Sequence, residues 1–444
     1  MDKFKINLFN VGSGDCILIE FPERKIGILD TFCTYENIKL IEPPTLTYLK
    51  YRLSEKLESK ITNKICIKFI CISHADLDHI KEMDSVLKYL TTNKEHFEVE
   101  NLWLFGGSTD LSTFKSEVDE LSRKILNHNK TQQKELKVRF NSLKSSLDSI
   151  LEFKKFFNTE YGKEVRHLID LNEIMIYNKH ELESFFCLAP LSRIANEFTD
   201  QNVKQLIKYF FEKIQIIEQD YLKGIVIETP LNRNSISSVL SIIFSGKKFL
   251  FCGDITEESF SASLNDIEKL NIKVLREQLN PHFIKSSHHG DSHSTTLNIL
   301  QKLLNNPPNN IKIGVSAGNL HSHPRPEFYK CYKDFKIANT DVEFNIFTSN
   351  LCEICKSCIE DIEEEDQDHW FKYHGVLFED KRVNEVFRLE NNNSASSNVG
   401  SKNLLSYIFE FDGSDIKVKR GTSNFIGGYN SCHFDPDRRL EHCR

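Results

Sequence analysis

Residues 73–80 read SHADLDHI, so that His74, Asp76, Asp78 and His79 place two imidazoles and two carboxylates within six positions. The cluster directly follows an apolar, β-branched run, ICIKFICI (65–72), which reads as a buried strand. Residues two apart on an extended segment point to one side. His74 and Asp76 can therefore converge on one ion, and a turn after them can aim Asp78 and His79 at a second. Two ions about 3.5–4 Å apart form a clamp for the attacking and leaving oxygens of an in-line displacement. The bland alternative is a strand ending in a polar loop with chance histidines.

Other strand ends carry similar groups. Asp254 closes KKFLFCGD, where a lone carboxylate is costly to bury unless paired or metal-bound. FIKSSHHGDSH places His288 and His289 at another strand end, before a glycine that permits close backbone approach. GVSAGNLHSHPRPE adds Asn319, His321 and His323 after a further strand. Groups recurring in this order describe one site along one edge of a sheet system.

The elements that must position these groups alternate between strand and helix. Strands are expected over 3–21, 25–32, 65–72, 99–105 and 183–191, in a hairpin over 235–254 that turns at Ser245-Gly246, and over 282–290 and 311–318. Helices are expected near 45–60, 80–93 and 202–217. Between 108 and 180 glycine nearly vanishes, and Lys, Leu, Glu and Phe recur at helical spacing, which reads as a helical insertion. The acidic run 359–368 reads as a solvated face, 390–403 as a low-complexity disordered loop, and 404–421 as a late hairpin.

The ordered series NVGSGDCILIE, ILDT, SHADLDH, LNRNSISSVLSI, FLFCGD, SSHHG and SAGNLHSHPRPE resembles the metallo-β-lactamase fold. More narrowly, it resembles the branch containing the hydrolase domain of the ComEC competence protein. The resemblance covers roughly 1–90 and 183–335. It implies an α/β protein, a four-layer αββα sandwich, with hydrolase segments 1–107 and 181–350, the helical insertion 108–180, and a cysteine-bearing C-terminal extension 351–444. It implies two divalent ions. His74 and Asp76 would hold the first and Asp78 and His79 the second, with Asp254 bridging and His288, or instead His289, as the last ligand. Asp30 would fix the ligand loop from behind, and Asn319 and His323 would face substrate. Two departures stand out: Asn10 and Ser13 in the opening motif, and Ala189 where many relatives place a histidine. The first ion would then lack one protein ligand.

Composition is that of an ordinary globular protein, with a net charge of −7 that argues against a surface basic all over. No apolar run approaches the roughly 20 residues of a spanning helix, and no secretory leader opens the chain, so a cytoplasmic protein with no membrane association is expected. Its twelve cysteines are then mostly reduced. Cys16, Cys66, Cys71 and Cys252 fall in strand-like runs as small buried residues. In CEICKSC, Cys352 and Cys355 could build a structural zinc with Cys432 and Cys443. Reduced cysteines in a small subdomain are the default there.

Two carboxylates in the cluster plus Asp254 make an oxygen-rich donor set, which favours manganese or magnesium over zinc, although zinc also fits. The expected activity is cleavage of a phosphodiester in nucleic acid or a nucleotide, by a hydroxide generated at the ions, with Asp78, Asn319 and His323 as catalytic residues. Two alternatives stand beside it. One is a sensor or effector subunit of a multi-protein assembly, such as an anti-phage defence complex, with a protein partner on the helical insertion. The other is a thioester or lactone hydrolase. No Walker-type or dinucleotide-binding glycine loop is present in the sequence.

Overall fold

The computed structural model describes residues 3–9, 11, 14–32, 43–74, 76–104, 183–191, 237–271, 273–316, 326–348, 404–413 and 415–423, with the short strands 166–167 and 176–178 and a few isolated positions. The strands are β1 (Phe4–Leu8), β2 (Cys16–Glu20), β3 (Ile26–Thr31), β4 (Ile65–Ile72), β5 (Phe97–Val99), β6 (Leu102–Leu104), β7 (Arg166–His167), β8 (Ile176–Asn178), β9 (Glu183–Ala189), β10 (Val239–Phe244), β11 (Lys247–Phe251), β12 (Phe283–Lys285), β13 (Asn310–Val315), β14 (Glu343–Thr348), β15 (Leu404–Phe411) and β16 (Ile416–Ser423). They form two sheets among the described residues. One runs β16-β15-β1-β2-β3-β4-β6-β7, with β5 also on β4; the other runs β14-β13-β12-β11-β10-β9-β8.

Three apolar clusters show the layering. Phe4, Ile6, Phe69, Phe185, Phe249 and Phe283 meet between the sheets. Tyr48, Leu49, Met83, Val86 and Leu87 pack helices Pro44–Glu58 and Met83–Thr92 onto the first sheet. Phe260, Leu264, Ile299, Leu300, Phe328 and Tyr332 pack helices Glu257–Lys269, Leu297–Leu303 and Pro326–Ala338 onto the second. Helix, sheet, sheet and helix therefore follow one another across three hydrophobic seams. This is the four-layer α/β sandwich expected, and it is consistent with a metallo-β-lactamase fold.

Local sequence explains these elements. The stripe Thr45, Tyr48, Leu49, Arg52 and Lys56 is buried at helical spacing along Pro44–Glu58, which starts with proline in its first turn. Thr296 caps Leu297–Leu303 by accepting from the Ile299 amide. The hairpin β10–β11 turns through Ser245 (φ 47°) and Gly246 (φ 78°), and two consecutive left-handed residues suit a two-residue antiparallel turn.

Several boundaries differ from the sequence reading. The 404–421 hairpin is formed as expected, but β15 pairs antiparallel along β1. It is therefore part of the first sheet rather than of an appended extension. β1 leaves one edge open to pairing, and Tyr407, Phe409 and Phe411 fill the seam between the sheets. Arg166–His167 and Ile176–Asn178, within the stretch read as helical, add short strands to the two sheets. The remaining insertion, the helix expected at 202–217, the acidic run, the low-complexity loop and the C-terminal cysteines lie outside the described residues. Cys16, Cys71 and Cys252 are buried free thiols, whereas Cys66 is only half-buried and donates to Glu100. Among the described residues no helix is long and apolar enough to cross a membrane.

Lys68 interrupts the apolar run of β4. The β3–β4 register slips between Ile67 and Phe69, and this bulge turns Lys68 inward, where it pairs with Glu183 of the other sheet. Both side chains are buried, so removing either strands a charge. Lys68→Met and Glu183→Leu are each expected to cost about 3–5 kcal/mol in denaturant unfolding, and the double substitution much less than their sum.

Candidate metal centre

β4, β11, β12 and β13 lie in parallel sections of the two sheets, and the chain segments leaving them meet at one edge. After β4 come His74, Asp76, Asp78 and His79; after β11, Asp254; after β12, His288 and His289; after β13, Ser316. Ligand atoms of Asp78, His79, Asp254 and His289 lie within 4.8 Å of one another, as do those of His74, Asp76 and Asp78. His74 Nε2 is 3.8 Å from Asp254 Oδ2, so Asp254 stands between the two groups. His79 Nε2 approaches Asp254 Oδ1 to 3.4 Å, and His289 Nε2 approaches Oδ2 to 3.6 Å.

The opposite nitrogen of each of these rings is engaged. His79 Nδ1 donates to Asp30 Oδ2 at 2.7 Å, and His289 Nδ1 to the Ser316 carbonyl at 2.8 Å. Ser73 Oγ donates to Asp30 Oδ2, which leaves its lone pair to accept from His74 Nδ1 at 3.1 Å. All three rings then carry hydrogen on Nδ1 and turn Nε2 toward Asp254. His74 Nε2, His79 Nε2 and Asp254 Oδ1 are buried with no hydrogen-bond partner. Such atoms together are what a cation would satisfy, and this donor set fits one.

Backbone geometry brings the groups together. Asp30, His288 and His289 have φ of 52°, 46° and 55°, left-handed conformations that side chains rarely adopt outside constrained sites. A Cβ on Gly14 would fall 2.2 Å from the Asp78 carbonyl oxygen. Glycine there lets the loop before β2 lie against the Asp78 turn, where the Asp15 amide donates to that carbonyl. Gly253, at φ 49°, brings its strand end against Ser73 and Ser237, and Ser237 Oγ accepts from the Asp254 amide.

The sequence-derived residues have distinct places. His289 is buried within the four-residue group, whereas His288 is 32% exposed, 3.8 Å from Asp254 Oδ2 and from Asp291 Oδ2. Asp30 sits behind His79 and also accepts from the Ser73 amide. Ala189 is buried in the helix-facing apolar cluster of the second sheet and supplies no donor atom. Asn319, His321, His323, Cys352, Cys355, Cys432 and Cys443 lie outside the described residues. Asp15, Ser73, Lys285 and Ser316 had no role in the sequence reading. A lysine inside a short strand flanked by parallel neighbours was the available signal, since such a charge needs a partner.

No protein-family model matches the chain, and no curated protein matches it. Among solved structures, it is similar to the metallo-beta-lactamase fold protein YhfI from Bacillus subtilis, with 10% identity over 79% of this chain and 98% of that one and a TM-score of 0.36. The class that fold and site define is a two-sheet α/β sandwich with histidine and aspartate groups at one edge that can hold a metal ion.

Charge explains the site's behaviour without metal. Burial opposes charging His79, but Asp254, Asp30, Asp78 and Asp15 outweigh it and hold its pKa well above the usual imidazole range. His289 is raised against burial by Asp254, Asp78 and Asp15. His74, by contrast, is pushed down to about 3 by burial and by the charge on His79. A cation must therefore displace protons from His79 and His289. Apparent Mn²⁺ affinity is expected to rise with pH until those rings are neutral, by about tenfold per pH unit for each displaced proton. Calorimetry in buffers of different ionisation enthalpy would count the released protons; pH-independent affinity with none released would contradict this account.

Proposed function

We propose that this chain is a metal-dependent hydrolase of phosphodiester bonds in nucleic acid or a nucleotide. The observation that carries the reading is the convergence of three imidazoles, each held at Nδ1 and each with Nε2 within 3.8 Å of the Asp254 carboxylate. His74, Asp76 and Asp78 would hold one ion, and Asp78, His79, Asp254 and His289 the other. His289 takes the last-ligand role because it is enclosed, which leaves the half-exposed His288 on the substrate side. Bound divalent ions would supply polarisation of the phosphoryl group and an activated water.

The protein's own contribution is orientation and exclusion of solvent. Asp30 fixes the His79 ring and the Ser73 backbone together, and burial of His74, His79 and Asp254 keeps competing water from their donor atoms. Three carboxylates beside three imidazoles form a mixed oxygen–nitrogen set suited to manganese, with zinc as the competitor. Oxygen-rich sites commonly serve phosphoryl chemistry. Asn319 and His323 complete the proposal as substrate-facing groups, with His323 assisting the leaving oxygen.

The test is a substrate panel of single-stranded DNA, duplex DNA, RNA and cyclic nucleotides, with Mn²⁺-loaded protein. Cleavage of at least one member is expected, falling to the uncatalysed background in Asp78→Ala and Asp254→Asn. Absence of cleavage across the panel, or variants as active as the parent, would refute the assignment.

A further inference from the structure

Behind the metal-facing atoms lies a second buried group, Asp15, Lys285 and Ser316, which the chemistry above does not use. The three side chains are essentially inaccessible to water. Asp15 precedes β2 in the first sheet; Lys285 ends β12 and Ser316 follows β13 in the second. Asp15 Oδ2 forms an ion pair with Lys285 Nζ, and Asp15 Oδ1 accepts from Ser316 Oγ. The same carboxylate lies 3.8 Å from His79 Nδ1 and 3.6 Å from His289 Nδ1. Its backbone amide donates to the Asp78 carbonyl at 3.1 Å, and the Ser316 carbonyl accepts from His289 Nδ1.

These contacts touch both halves of the donor set. Asp78 and His79 arrive from the first sheet, Asp254 and His289 from the second. The apolar seam between the sheets is not directional, so it cannot by itself hold atoms from opposite sheets at ligand spacing. A charge pair with a hydroxyl donor has fixed geometry. We infer that Asp15, Lys285 and Ser316 form a positioning strut across the sandwich that sets the separation of the Asp78–His79 pair from His289, and thereby the affinity of the site for its ion. The inference rests on the metal-dependent reading above and assigns no direct contact with metal or substrate to these residues.

Lys285→Met gives a test in which two accounts predict opposite signs. Were Lys285 only a positive charge near a cation site, its removal would tighten metal binding. As part of a strut, its removal loosens the geometry and weakens binding by about 10- to 100-fold, the usual range for partners behind metal ligands. Mn²⁺ titration followed by electron paramagnetic resonance would measure this on protein shown to be folded by circular dichroism. The ¹⁵N resonances of the His289 ring in metal-free protein are expected to shift as well. Unchanged or tighter Mn²⁺ binding by folded Lys285→Met would overturn the strut. If that variant does not fold, Ser316→Ala removes only the hydroxyl bonded to Asp15 and should weaken Mn²⁺ binding in the same direction; unaltered binding there overturns it equally. Parent protein that binds no Mn²⁺ would instead overturn the metal reading and the strut together. Parent protein that binds normally, with variants that match it, would fail the strut alone.

Discussion

The attraction between the Asp254 carboxylate and imidazoles from two different sheets is the interaction on which the site's arrangement depends. Asp254 is closed off from water, where a lone carboxylate would be strongly disfavoured. His74 and His79 approach it from the loop after β4, and His289 from the turn after β12. Nearby Asp15 and Asp30 add negative charge, so the edge is stable only with positive charge among the carboxylates. Lys285 supplies part of it, and the carboxylates raise the pKa of His79 and His289. A divalent ion held by these donors would supply more.

The layered fold makes that convergence available. Parallel strands bring their C-terminal ends to one edge, and the two sheets face each other across an apolar seam that includes Phe69, Phe185, Phe249 and Phe283. Loops from both sheets therefore meet over a single space. The meeting requires unusual backbone: Asp30, His288 and His289 in left-handed conformations, and Gly14 pressed against the Asp78 carbonyl. Conformations of this kind persist where surrounding contacts over-determine them. Asp30 has such contacts in the Ser73 amide and hydroxyl and the His79 ring.

Two buried polar ties cross the sandwich, and one of them lies at this edge. Lys68 and Glu183 tie the sheets through a bulge in β4, while Asp15, Lys285 and Ser316 tie them beneath the donor atoms. Buried ion pairs contribute little net stability, so their value lies in fixed geometry. The pair under the site is the one placed to affect chemistry.

Much of this was legible in the chain. The run 65–72 followed by His74, Asp76, Asp78 and His79, and the strand ending at Asp254, declared buried strands with metal-liking termini, because local spacing decides which side chains share a face. The β10–β11 hairpin followed from the same patterning, whereas the layer order was an implication of the family resemblance. Spacing could not say which of His288 and His289 is enclosed, because that depends on two left-handed residues in succession. Nor could it say that β15 pairs with β1, or that Asp15 meets Lys285 across 269 intervening positions. Sequence by itself determined the donor types and the strand ends that carry them, since these are local properties. Tertiary structure alone decided which donors face one another, since packing of one sheet on the other sets those distances.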